Sequence, residues 1–216
     1  MYDRPYFKDE DPAAVRAFMT AHPFVLLAGC DADGRPVATQ VPVFTDERDG
    51  RLVLTGHLAK ASDHHKAFAA NPRVLAVFTG AHTYVSASWY TEPGVGSTWN
   101  YLSVHARGTI RLFGGDELAA VMRRLSLHFE NGDESSPTYF ANLPDAYKAQ
   151  FLPMISGFEI VVTELDHVTK LSQNRDAASF RNIRGKLDAQ GGDAAIIAGE
   201  MSRREAGLYP EADPEA

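Results

Sequence analysis

The segment Thr55–Ser62, TGHLAKAS, carries residues whose types and spacing suit anion binding. A strand there runs into a helix, and the first turn of a helix presents N–H groups with no partner in the helix. Lys60 adds a positive charge and Ser62 a hydroxyl. Taken alone, the segment is an ordinary capped helix with a solvent-facing lysine. Thr39, Gln40 and Val41, on a strand beside it, offer polar partners for a planar heterocycle. A third stretch, Tyr84–Phe113, alternates at period two: Tyr101, Ser103, His105, Arg107, Thr109 and Arg111 share one face, while Leu102, Val104, Ala106, Gly108, Ile110 and Leu112 share the other. Trp99 and Asn100 precede it. The polar face is either a solvated sheet surface with cross-strand aromatic partners or one wall of a ligand site. Such a wall plus an anion seat is what a phosphorylated aromatic cofactor needs.

Other constellations are weaker. Of eight histidines, His57, His64 and His65 cluster in sequence. His64 and His65 are adjacent on one helix and cannot face a common point, so no metal site is expected. Ser86, His105 and an aspartate could form a hydrolase triad on paper, but the GxSxG elbow is lacking. Gly94-Val95-Gly96 has Trp99 where a dinucleotide fingerprint needs its third glycine. Cys30 is the single cysteine, which rules out an intrachain disulfide and favours a reducing compartment. It ends the apolar run FVLLAGC and reads as a small buried residue.

The elements that position these residues follow from turn and cap signals. Asp11-Pro12 starts a helix to Ala21. Strands are expected at Phe24–Gly29, Pro36–Val43, Arg51–Leu58 and Arg73–Thr79, with two more in Tyr84–Phe113. Pro42 puts its strand at an edge or a bulge. Ser62 caps a helix to Ala70. Six antiparallel strands at hairpin spacing predict a barrel. Asp116 caps a helix to Glu130 and another runs over Pro144–Phe151, then come strand character at Gly157–Leu171 and a helical tail over Asp176–Leu208. Residues 209–216 are expected to fray. The aromatics Tyr2, Tyr6 and Phe7 suggest a terminus tied onto the body. The chain has 216 residues and a net charge of −7, which gives no overall help in binding nucleic acid. No run reaches membrane-spanning length and no signal peptide is seen, so a cytoplasmic protein without membrane contact is expected.

Six segments together, MYDRPYF, VATQVPV, LTGHLAKAS, AHTYVSASWY, STWNYLSVHARG and KLSQNR, are similar to the PaiB-type members of the FMN-binding split-barrel superfamily, relatives of pyridoxamine phosphate oxidase and the flavin reductases. The resemblance covers nearly the whole chain. It implies a mainly β fold with flanking helices, a six-stranded antiparallel split barrel over 1–175. A C-terminal helical extension, 176–216, would pack on the barrel or on a dimer partner. It further implies a homodimer with FMN at the subunit interface and a role as a negative transcriptional regulator. By resemblance, Thr39, Gln40, Val41 and Pro42 lie near the isoalloxazine ring, with Thr55, Gly56 and His57 in the same region. Lys60, with Ser62 beside it, meets the phosphate. Trp99 and Asn100 reach the flavin from either subunit. Lys170, Gln173, Asn174 and Arg175 close the site at the phosphate or the ring edge. No catalytic residue is assigned. The chain departs from the family pattern at Ser62–His65 and at Gly96–Thr98. An FMN-dependent oxidoreductase or flavin reductase acting on a small substrate is the alternative activity. A haem-binding barrel with His57 or His105 as axial ligand is a third. DNA contact would have to use Arg181, Arg184, Lys186, Arg203 and Arg204, which otherwise form a solvated helix face.

Overall fold

The computed structural model describes residues 1, 2 and 4–210. The fraying expected at the C-terminus falls, from 211 on, outside the described residues. Helix α1 (Pro12–Ala21) opens on Asp11, whose carboxylate accepts the Ala13 N–H at 2.8 Å. The strands are β1 (Phe24–Cys30), β2 (Pro36–Pro42), β3 (Phe44–Arg48), β4 (Arg51–Ala59), β5 (Arg73–Val85), β6 (Thr98–Phe113) and β7 (Ile155–Lys170). They form one sheet in the order β2-β1-β5-β6-β7-β4-β3.

Seven strands thus stand where six were expected. The second expected strand, Pro36–Val43, is β2, which ends on Pro42, a residue with no N–H to give a ladder; the extra strand is β3, which follows after Val43. The fifth expected strand is the far end of β5, and Ala87–Trp89 beyond it is a 3-10 turn with Ser86 as its cap. The late strand β7 enters the sheet between β6 and β4. Its register with β4 runs from Val53↔Val161 to Ala59↔Ile155. β2 and β3 are joined by one residue yet stand at opposite ends of the strand order, so the sheet curls back on itself and closes as a split barrel. The β3–β4 hairpin turns on Asp49 and Gly50, both at positive φ, as a two-residue turn requires.

The chain divides into two compact units. The barrel unit, Met19–Phe78 and His105–Leu165, contains β1 to β4 with α2 (Asp63–Ala70), α3 (Gly115–Phe129) and α4 (Asp145–Phe151). Leu27, Leu54, Phe158 and Ile160 are fully buried in it. Gly114, not Asp116, precedes the first turn of α3, and Asp116 lies within that turn. Leu118 and Met122 pack with Phe140 and Ile155, whereas Phe129, at the end of the same apolar stripe, is exposed. Cys30 is half-buried rather than enclosed.

The helical unit comprises Met1–Phe18, Thr79–Val104 and the residues from Asp166 on. The expected single helical tail is two helices, α5 (Ala177–Asp188) and α6 (Gly192–Leu208), broken by Gly191 and Gly192 at positive φ. Phe180, Ile183, Leu187, Ile197 and Met201 pack with Val85 and Leu102 of the sheet. The N-terminus is tied down: Lys8 pairs with Asp166 at 2.5 Å, and the Asp9 N–H donates to His167 Nε2 at 2.7 Å. Among the described residues no helix is long and apolar enough to cross a membrane.

Asp176 caps α5. Its carboxylate accepts from the Ser179 hydroxyl and N–H and from the Thr91 hydroxyl, which hold its pKa at about 2. The folded pKa lies below the ordinary value of 3.8, so this contribution is present above about pH 4 and fades as pH falls towards about 2. Asp176→Asn is expected to lose less thermal stability than the parent between about pH 5 and pH 2, measured by circular dichroism.

Candidate functional site

Nine of the fifteen residues singled out from the sequence lie in the barrel unit. On β2, Val41 is buried opposite Val25, while Gln40 is exposed opposite Leu26. Thr39 and Pro42 are half-buried. On β4, Thr55 is 4% exposed, and Gly56 is pinched between Pro42 and Phe158: a Cβ there would lie 2.7 Å from the Pro42 carbonyl oxygen. This glycine lets the two strands that carry the polar residues approach. His57 is half-buried, and its Nδ1 is enclosed with no partner among the described residues.

Lys60 is exposed at the end of β4, and among the described residues it has no carboxylate partner. Its N–H donates to the Met154 carbonyl. Ser62 is spent on the helix: its hydroxyl donates to the Ala59 carbonyl at 2.7 Å and accepts the His65 N–H at 3.2 Å. Asp63, an unhelpful charge beside an anion, is 73% exposed and lines a groove with Asp31, Asp33, Arg35 and Lys66. His65 Nε2 meets the Ser156 hydroxyl at 2.9 Å, a pairing across 91 residues that no local pattern signals.

Burial lowers the pKa of His57; burial and then the Lys60 and His64 charges lower that of His65. Both are depressed below 6.5, so the unfolded chain binds more protons in the window just below that value. Their contribution to stability is therefore complete above about pH 6.5 and is lost as pH falls through the folded pKa values. Replacing both by glutamine is expected to flatten the fall in melting temperature between about pH 7 and pH 5.

The other six residues lie in the helical unit. Trp99 is exposed and packs edge-on to Tyr84 at 6.0 Å. Asn100 is fully buried, and its Oδ1 accepts the Ser172 hydroxyl at 3.0 Å. After β7 the chain turns through Ser172 at φ 62°. Gln173 locks that turn: its Oε1 accepts the Leu171 N–H at 2.6 Å, and its Nε2 donates to the Thr169 carbonyl at 2.5 Å. Asn174 is exposed. Lys170 donates to the Thr98 hydroxyl and lies 5.4 Å from the Tyr2 ring centre. Arg175 lies 4.1 Å over the Tyr90 ring. The contacts of Lys170 with Thr98 and Tyr2 were missed from sequence; the aromatic N-terminal segment was the only signal.

Four of the five basic helix residues, all but Lys186, are in ion pairs. Arg181 and Arg184 pair with Glu205, Arg203 and Arg204 with Glu200, and Arg204 also with Asp9.

In the barrel unit, then, a lysine without a carboxylate partner, an enclosed imidazole nitrogen and an exposed amide on Gln40 have donor and acceptor capacity unspent among the described residues. Those groups fit the phosphate and the polar ring edge of a flavin nucleotide. Comparison with known proteins gives the family. Residues 1–164 match the family described as "Putative FMN-binding domain". The chain is 31% identical over 183 residues to the protease synthase and sporulation protein PAI 2 of Bacillus subtilis (strain 168), spanning 85% of this chain and 87% of that one. It is 26% identical over 189 residues to an uncharacterized protein of Emericella nidulans, spanning 74% and 75%. Two solved structures share the fold: a conserved hypothetical protein of Mycobacterium tuberculosis, TM-score 0.51 at 17% identity over 78% of this chain and 90% of that one, and the flavocytochrome Anf3 of Azotobacter vinelandii, TM-score 0.52 at 19% identity over 75% and 68%. The chain belongs to the PaiB-type FMN-binding family, a split-barrel family, and its cofactor is FMN.

Proposed function

We propose that this protein is a flavin-binding negative regulator of transcription that works as a homodimer, with FMN at the subunit interface. The observation that carries the flavin assignment is Lys60, a cation with no described carboxylate partner, at the end of the strand that presents Thr55, Gly56 and His57. In this reading Lys60 meets the phosphate, and Ser62 acts by building the helix start. Thr39, Gln40, Val41 and Pro42 line the ring. Trp99 and Asn174, both exposed, contact the flavin, whereas Asn100 and Gln173, whose polar groups are spent internally, hold that segment in place. The dimer is supported by the outer face of β1, where Phe24 is 62% and Leu26 41% exposed beside Gln40. Two exposed large apolar side chains on one strand face are suited to cover by a second copy.

Regulation through direct DNA contact has little support, because the arginines of α5 and α6 are already paired and the net charge is −7. The flavin-loaded protein is expected to give no specific shift of DNA in a low-salt gel; a specific shift would establish direct binding. For the cofactor, Lys60→Met is expected to weaken FMN about tenfold, the worth of one charge-assisted contact, and to leave riboflavin unchanged. Titration by quenching of flavin fluorescence reads both. Equal losses for the two ligands, or none, would remove Lys60 from the phosphate.

A further inference from the structure

A cavity of about 570 Å³ lies in the barrel unit, between β3 and the last turns of α3. Its volume is that of a small-molecule site. Val43, Phe44, Leu125, Leu127, His128 and Phe129 make its walls. The rings follow one another edge-on, Phe44 to His128 at 5.3 Å and His128 to Phe129 at 5.1 Å. Phe129 is 53% exposed. Backbone hydrogen bonds fix both rims. The Val43 N–H donates to the Pro23 carbonyl at 2.8 Å, and the Gly132 N–H closes the end of α3 on the Leu127 carbonyl at 2.8 Å. A cavity held in this way is formed before any ligand arrives, which lowers the cost of binding. Two features set the chemistry of its occupant. Arg124, on the wall, is already neutralised: both Asp46 carboxylate oxygens accept from it, at 2.6 and 2.7 Å, and its guanidinium lies 4.0 Å over the Phe44 ring. A charged ligand would lose its hydration there without gaining that cation as a partner. Thr45 also lines the cavity, and its hydroxyl is enclosed with no partner among the described residues. A buried hydroxyl left unpaired is costly, and one polar group on a ligand relieves that cost.

We propose that this cavity is a second small-molecule site, which takes an uncharged planar aromatic compound of one or two rings with one hydrogen-bonding group. Its ring packs against the Phe44, His128 and Phe129 rings, and its polar group pairs with the Thr45 hydroxyl. Pro42 is the one lining residue also assigned to the flavin ring. The proposal goes beyond the flavin reading and does not rest on it.

Calorimetry of the FMN-saturated protein with indole tests it, with indene (the same shape without an N–H) and indole-2-carboxylate (an anion) in parallel. Indole is expected to bind with a Kd of about 1 mM or below, about fivefold more tightly than indene and more tightly than the carboxylate. Phe129→Ala should weaken indole and indene alike, about tenfold. Thr45→Val should remove the preference for indole over indene. Neither residue is assigned to the flavin, and FMN affinity should stay within about threefold of the parent in both variants. No indole binding, equal affinities for indole and indene, a preference that Thr45→Val leaves intact, tighter binding of the carboxylate, or an unchanged Kd in Phe129→Ala overturns the proposal. Indole that binds the flavin-free protein and is displaced by FMN also overturns it, because the cavity would then belong to the flavin site. Indole affinity that falls as protein concentration rises overturns it too, since a second copy would then cover the cavity. A protein that takes no FMN overturns the flavin reading instead, and the same titrations on the flavin-free protein still decide the cavity. Should Thr45→Val fail to fold, the indole-to-indene ratio of the unaltered protein decides, and equal affinities overturn the proposal.

Discussion

Gly108→Ala is expected to lower the melting temperature by about 10 °C. Gly108 lies on β6 against β7, and an added Cβ would stand 2.3 Å from the Val161 carbonyl oxygen and 2.8 Å from Ile160 Cγ2. The first of these is backbone. β7 cannot slide aside, because Val161 and Ile160 pair with Val53 and Leu54 of β4. Overpacking against flexible side chains costs about 1–3 kcal/mol; against a fixed ladder the upper end applies, about 3 kcal/mol. In a chain of this size each kcal/mol shifts the midpoint by about 2–4 °C. Gly185→Ala is the control: it lies within α5, and a methyl group added there would meet nothing within 4 Å. It should hold or raise the midpoint, since alanine favours helix by about 1 kcal/mol. Differential scanning calorimetry separates the two.

Asn100→Ala is expected to cost about 2–3 kcal/mol, from the lost buried hydrogen bond and the cavity that remains. Asn100 is wholly enclosed, accepts from Ser172, and its amide faces Met201 Sδ at 3.9 Å. Truncation strands the hydroxyl of Ser172, itself 2% exposed. Ser172 is also the residue at positive φ, so the turn loses the tether that offsets its strain. Two readouts follow. In a double-mutant cycle with Ser172→Ala the losses should fall short of additive by about 1 kcal/mol. Trypsin should cut after Lys170 or Arg175 faster in Asn100→Ala than in the parent. Additive losses with unchanged cleavage would mean that the Asn100–Ser172 bond does not hold the turn.

Local signals in the sequence carried much of the fold. Period two on β6 put Leu102, Val104, Ala106 and Ile110 inside and left Thr109 and Arg111 exposed. The same parity puts Asn100 on the inner face with Leu102, where it is buried, whereas the resemblance had it reaching the flavin. Asp11, Ser62 and Asp176 cap helices as their types predict. Pro42 put its strand at an edge or a bulge, and β2 stands at one end of the strand order; β3, just beyond it, had no such signal. Phe129 keeps helical spacing yet is exposed, so spacing alone does not assign burial. The candidate site was legible by resemblance to a family more than by spacing. The partners of Lys170 and His65 lie 72 and 91 residues away, at separations no local periodicity reaches. Pairing of Arg181 and Arg184 with Glu205 likewise depends on how α5 and α6 pack.

The most direct measurement is the absorbance spectrum of the protein after incubation with excess FMN and gel filtration, with the eluted mass read by light scattering. A dimer carrying equimolar flavin, released by heat and identified as FMN by mass spectrometry, is the predicted result. Protein that elutes free of flavin, or that shows a Soret band in place of the two flavin bands, contradicts it.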